Sequence, residues 1–140
     1  MPSCFLAYTR RGIIGENKRT LYSPKLLDHF AHPRNAGDLE SPSYRVDCEN
    51  PVCGDQLRIV VECSSGRIDA VRFLARGCTA SIACGSVLTE LLAGKTREEL
   101  ALIRAAQVEE AVGGLNPESK HAAVLCADAV RKLEAEWKKS

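Results

Sequence analysis

Two side chains able to bind a metal lie two residues apart in Asn50-Pro51-Val52-Cys53-Gly54-Asp55, where a thiol and a carboxylate share one short loop. Pro51 fixes its own φ and Gly54 can take backbone conformations that other residues avoid, so the loop is a tight one. Cys-Gly-Asp alone is more often a plain turn than a metal site, so the reading depends on which other ligands can join it. Cys78 is the next candidate, at a predicted strand-to-helix junction after Gly77. The unpaired amides and dipole of a helix N-terminus favour an anion, which predicts a thiol of lowered pKa, available to metal or sulfur. The small residues Thr79, Ala80, Ser81 and Ala83 let the backbone come close to whatever Cys78 holds. Cys126 falls on the last predicted helix, where spacing alone makes it a core residue. Cys53, Cys78 and Cys126 are far apart in sequence, unlike the short C-x-x-C pairs of zinc fingers, so spacing by itself defines no site. Brought together with Asp55, three thiolates would make a four-ligand site for Zn²⁺ or an iron–sulfur cluster. His29 and His32 are weaker candidates, since a histidine on a short surface helix is more often structural or solvated.

The elements that must position these residues follow from pattern. Tyr44, Val46 and Cys48 alternate with polar residues, as do Leu57, Ile59, Val61 and Cys63, and then Val71, Phe73 and Ala75. Period two with one polar face predicts a three-stranded antiparallel sheet packed on one side, with Ser64–Arg67 as a hairpin turn. Cys48 and Cys63 fall on its apolar face and read as core. Ser23 before Pro24 starts a short helix with an apolar stripe of Leu26, Leu27 and Phe30. A second helix runs from Cys78 through Ala93 to a Gly94-Lys95 stop, with Cys84 on its apolar face. Thr96-Arg97-Glu98-Glu99 is a capping box opening a helix to about Ala106. Asn116-Pro117 starts the last one, to about Lys138. The expected fold class is therefore α+β, a three-stranded antiparallel sheet with helices on one face.

Bulk properties narrow the function. The 140 residues are one domain by size, and 45% hydrophobic with 26% charged content is ordinary for a soluble protein. A net charge of +1 offers no reason to bind nucleic acid or a membrane surface, and no apolar run approaches the length of a membrane helix. Seven scattered cysteines, an odd number, with no secretory signal at Met1–Ala7, point to a reducing, cytoplasmic setting in which cysteines bind metal, do chemistry or fill core. Residues 1–20 carry Arg10, Arg11, Lys18 and Arg19 without a convincing period. They are expected to be a disordered extension, with Cys4 an incidental thiol, although an organelle transit peptide shares that composition. Residues 21–140 form the expected domain. No nucleophile–base–orienter set marks a self-sufficient enzyme.

Four motifs carry a resemblance: Leu21–Gly37 (LYSPKLLDHFAHPRNAG), Asn50–Asp55 (NPVCGD), Gly77–Thr96 (GCTASIACGSVLTELLAGKT) and Leu125–Ala129 (LCADA). In that order and nearly that spacing, the chain resembles the IscU/NifU-type iron–sulfur cluster scaffold proteins. The resemblance implies a protein that accepts persulfide sulfur from a cysteine desulfurase, builds a transient 2Fe–2S cluster and passes it to recipient apoproteins. It places the family's ligands on Cys53, Cys78 and Cys126 and its cluster-labilising aspartate on Asp55, with Cys126 and Cys53 as sulfur-accepting thiols. Two departures stand out. Leu125 occupies the position before Cys126 where IscU proper has histidine, a feature shared with the SufU branch, whose members bind zinc and shuttle sulfur; that branch carries an insertion for which this chain has no room. His121 could replace that ligand, but five residues before Cys126 on a regular helix it would face away from it. Asn116–Lys120 also lacks the element that the family's Hsp70 chaperone binds, which puts that partner in doubt. The alternative reading is a zinc-dependent, SufU-like sulfurtransferase that activates its desulfurase.

Overall fold

The computed structural model describes residues 22–52 and 54–139. The N-terminal extension with Cys4, and Cys53 within the ligand loop, lie outside the described residues.

Three strands, β1 (Tyr44–Glu49), β2 (Gln56–Ser64) and β3 (Arg67–Arg76), form one antiparallel sheet in that order. Register pairs Val46 with Ile59 and Ile59 with Phe73, and Cys48 with Leu57 and Leu57 with Ala75, so one row of apolar side chains crosses the sheet at each level. The β2–β3 hairpin turns on Ser65 and Gly66, both at positive φ (55° and 78°), the conformation whose twist matches that of the flanking strands. A bulge at Glu62/Cys63 interrupts the alternation and leaves Cys63 only half-buried.

Helix α1 (Pro24–Ala31) begins as its sequence predicts, with the Ser23 hydroxyl accepting from the Leu26 amide at 3.0 Å. Its buried face is Leu26, His29 and Phe30. His29 is thus structural: its Nδ1 lies 2.8 Å from the buried Ser86 hydroxyl, and its Nε2 lies 3.5 Å from Glu90. His32 is exposed and caps the helix end. The chain then runs along the free edge of β3, with the Phe73 amide donating to Asn35 and the Gly37 amide to the Phe73 carbonyl. It continues over the outer face, where Asp38 pairs with Arg45 and Arg58. The outer face is therefore not wholly exposed, and Val60, which points there, is fully buried.

Helix α2 (Thr79–Leu92) is the central element, buried on nearly every side between sheet and helices. Its approach to the sheet depends on Gly85, where a Cβ would lie 2.7 Å from the Phe73 ring. The Thr96–Glu99 capping box forms, but it opens a 3-10 turn at Glu98–Leu102 rather than a helix to Ala106. Ile103 is extended, and a separate α3 (Ala105–Ala111) follows. Leu100 and Val108 on either side of that break are both fully buried. Asn116 then caps a 3-10 turn at Pro117–Ser119 that leads into α4 (Lys120–Lys139), which packs on β1, β2 and α2. Among the described residues no helix is long and apolar enough to cross a membrane.

Candidate metal centre

The ends of β1, β2 and β3 and the starts of α2 and α4 meet at one end of the sheet. The loop after β1 closes on itself: the Asn50 amide donates to the Asp55 carbonyl at 2.8 Å and the Gly54 amide to the Asn50 carbonyl at 2.7 Å. The Asn50 side chain braces it by accepting from the Val52 amide at 2.9 Å, and Gly54 takes a φ of +77°. Asp55 therefore sits immediately before β2 with its side chain turned inward and buried. Because Gln56 pairs with Arg76, Asp55 lies beside Gly77, the residue after β3. Gly77 has a φ of +147°, and a Cβ there would overlap the Asp55 carboxylate, so only glycine admits both. The next residue, Cys78, is the N-cap of α2.

The third group comes from α4. His121, in its first turn, brings Nε2 to 3.2 Å from Asp55 Oδ2 and 3.7 Å from Cys78 Sγ, while that sulfur is 3.5 Å from the same oxygen. One ligand atom each from Asp55, Cys78 and His121 thus lies within 4.8 Å of the others. Ser81, in the first turn of α2 and buried, donates to Asp55 Oδ2 at 2.5 Å and sits 3.4 Å from Cys78 Sγ. Asp55 is buried and His121 half-exposed, so the group opens on one side to solvent. Oxygen, sulfur and nitrogen donors with an open side suit a transition metal that is held by three protein ligands and can accept another.

The thiol is not activated as a helix N-terminus predicts. Burial pushes the Cys78 thiol above its ordinary pKa, the hydrogen bond from the Ser81 backbone amide opposes this, and the adjacent Asp55 carboxylate adds to the rise. A cation between these groups reverses the balance, because each negative donor then faces a positive charge instead of another donor.

Of the residues singled out from sequence, the structure joins Asp55 and Cys78. Cys53 itself lies outside the described residues, on the same loop as Asp55. Cys126 is not brought to this group. It is 1% exposed, inside the core with Cys84 and Cys48 nearby, and burial raises its thiol well above the usual range. The reason is helical phase: five residues turn a helix by about 140° beyond one full revolution, so a helix presenting His121 to Asp55 turns Cys126 away. The burial of Cys126 agrees with the core position that spacing gives it. His121 does face away from Cys126, as helical spacing predicts, and that same turn of the helix carries it to Asp55 and Cys78. The available signal was its position just after the Asn116-Pro117 helix start. Ser81, read only as a small residue, was missed as a hydrogen-bond donor.

This is an α+β domain with a cluster of oxygen, sulfur and nitrogen donors at one end of its sheet, of the kind that can hold a metal ion. A family model described as NifU-like N terminal domain matches residues 21–139, and the chain belongs to that family. It is 42% identical over 117 residues to the iron–sulfur cluster assembly scaffold protein IscU 1 of Archaeoglobus fulgidus, covering 84% of this chain and 76% of that one. Among solved structures, the N-terminal part of a NifU-like protein from Brucella abortus matches with a TM-score of 0.57 at 22% identity, over 82% of this chain and 81% of that one. A protein from Fervidobacterium islandicum, described as an iron–sulfur cluster assembly scaffold for the SUF system, matches at 0.55 and 22%, over 82% and 85%. At that identity the two structures establish the shared fold.

Proposed function

We propose that this chain is a scaffold on which iron–sulfur clusters are assembled and from which they are delivered, a carrier rather than a catalyst. The convergence of Asp55, Cys78 and His121 on one volume at the sheet end carries the reading, and family membership supports it. Cys53, on the loop that positions Asp55, is the proposed fourth ligand and the sulfur-accepting thiol, since Cys126 is buried in the core. The partners are a cysteine desulfurase that supplies persulfide sulfur and the apoproteins that receive the product. A reducing compartment suits a protein that works through free thiols. A transient 2Fe–2S cluster is the proposed cargo. One carboxylate among softer donors makes a weaker fourth bond, which suits cargo that must leave.

Anaerobic protein mixed with desulfurase, cysteine and ferrous iron should develop a cluster absorption spectrum, and Cys78→Ser should abolish it. Undiminished cluster formation in that variant would falsify the site assignment. The mixed oxygen, nitrogen and sulfur donor set also suits zinc, which keeps the zinc-bound sulfurtransferase as a second reading. Stoichiometric zinc that ferrous iron does not displace from anaerobically purified protein would favour it.

A further inference from the structure

The side chain that joins the two α2-end ligands is not itself a ligand. We propose that Ser81 is a positioning residue for the metal site, holding Asp55 Oδ2 toward Cys78 and His121 whether or not a metal is bound. The proposal rests on the site reading above.

Ser81 is 2% exposed in the first turn of the most buried helix, where a hydroxyl is costly unless hydrogen-bonded. It has one proton to give. The 2.5 Å contact sends that proton to Asp55 Oδ2, leaving an oxygen lone pair toward Cys78 Sγ at 3.4 Å. Three groups approach the same carboxylate oxygen: Ser81 Oγ, His121 Nε2 at 3.2 Å and Cys78 Sγ at 3.5 Å. Two of them change when a metal arrives, because ligation takes a thiolate sulfur and a bare imidazole nitrogen. Neither can then donate to Asp55. Ser81 keeps its proton and is the only one of the three that can hold the carboxylate in both states. On the other side, Gly77 closes against the carboxylate so tightly that a Cβ would overlap it. Asp55 is thus clamped between a backbone wall and one hydroxyl. A donor that orients a ligating carboxylate typically governs metal affinity by 10- to 100-fold when removed.

Zinc binding to the full-length, demetallated chain tests this without a cluster or a desulfurase, by competition against a chromogenic chelator. Ser81→Ala should weaken zinc about 10- to 100-fold. The apo variant should still melt cooperatively, at a temperature lowered by no more than the loss of one buried hydrogen bond, which separates lost binding from lost fold. In an Asp55→Ala background the same substitution should change affinity by less than about twofold, because the residue through which Ser81 acts is gone. Unchanged affinity for Ser81→Ala alone overturns the proposal, and so does an equal loss in both backgrounds, which would make Ser81 merely structural. Failure of the site reading looks different: zinc binding would be indifferent to Cys78→Ala, and the proposal would fall with it.

Discussion

Cys78 and Cys126 are the same residue type on two neighbouring helices of one core, and their surroundings give them opposite roles. Cys78 caps α2 beside a buried carboxylate, a buried hydroxyl and a partly exposed imidazole. Cys126 is sealed in the core beside Cys84, whose own thiol burial pushes up to about 12. Both thiols are raised by burial. The difference is that Cys78 has partners whose charge a metal can balance, whereas the ionisable groups that act on Cys126 are the thiols of Cys84 and Cys48. A cysteine becomes a ligand when other donors reach the same point, not when it is merely present.

The largest test of that contrast exchanges the roles of α4. His121→Ala should weaken zinc by about 100-fold or more, since even outer-shell partners are worth 10- to 100-fold. Cys126→Ala should leave zinc affinity within about twofold and instead cost about 1–2 kcal/mol in urea unfolding, as an under-filled core position does. If Cys126→Ala abolished binding while His121→Ala did not, the assignment would be reversed.

A smaller effect should appear in thiol reactivity. In the metal-free native protein, Cys78 should be alkylated before Cys84 and Cys126, as mass spectrometry of digests would show. Its rate should keep climbing through the ordinary thiol pH range because its pKa is raised. Added zinc should protect Cys78 and leave the buried pair as slow as before. Equal rates for all three would erase the distinction.

The smallest expected effect lies in the buried network far from the ligands. Burial lowers the pKa of His29 below the usual histidine value, with Arg34 reinforcing the shift and Glu90 opposing it. The unfolded chain therefore takes up the proton more readily. Stability contributed by neutral His29 is present above about pH 6.5 and is lost as pH falls through the lower folded pKa. His29→Gln, which can still hydrogen-bond Ser86, should flatten the fall in melting temperature over that acid range. An unchanged pH profile would place the acid sensitivity elsewhere.

Much of the fold was legible because it rests on local rules. Alternation marked all three strands, Ser65-Gly66 marked the hairpin turn, and the caps at Ser23 and Asn116 began the helices that form. The Thr96 box misled in length, because a cap reports where a helix starts and not how far tertiary packing lets it run.

By itself the sequence determined the strands, the turn chemistry of the Asn50–Asp55 loop and the junction at Gly77-Cys78. It also determined the apolar positions Ala122, Leu125, Ala129, Val130 and Leu133 of the last helix and the core reading of Cys126 beside them, all of them buried in the structure. Only the tertiary structure decided which donor of α4 meets Asp55 and Cys78. That stripe must face the sheet and α2, so rotation of the helix is set by burial of apolar area rather than by ligand chemistry. With the stripe turned inward, Cys126 is in the core and His121, about 140° around the axis, reaches Asp55 at the end of the sheet.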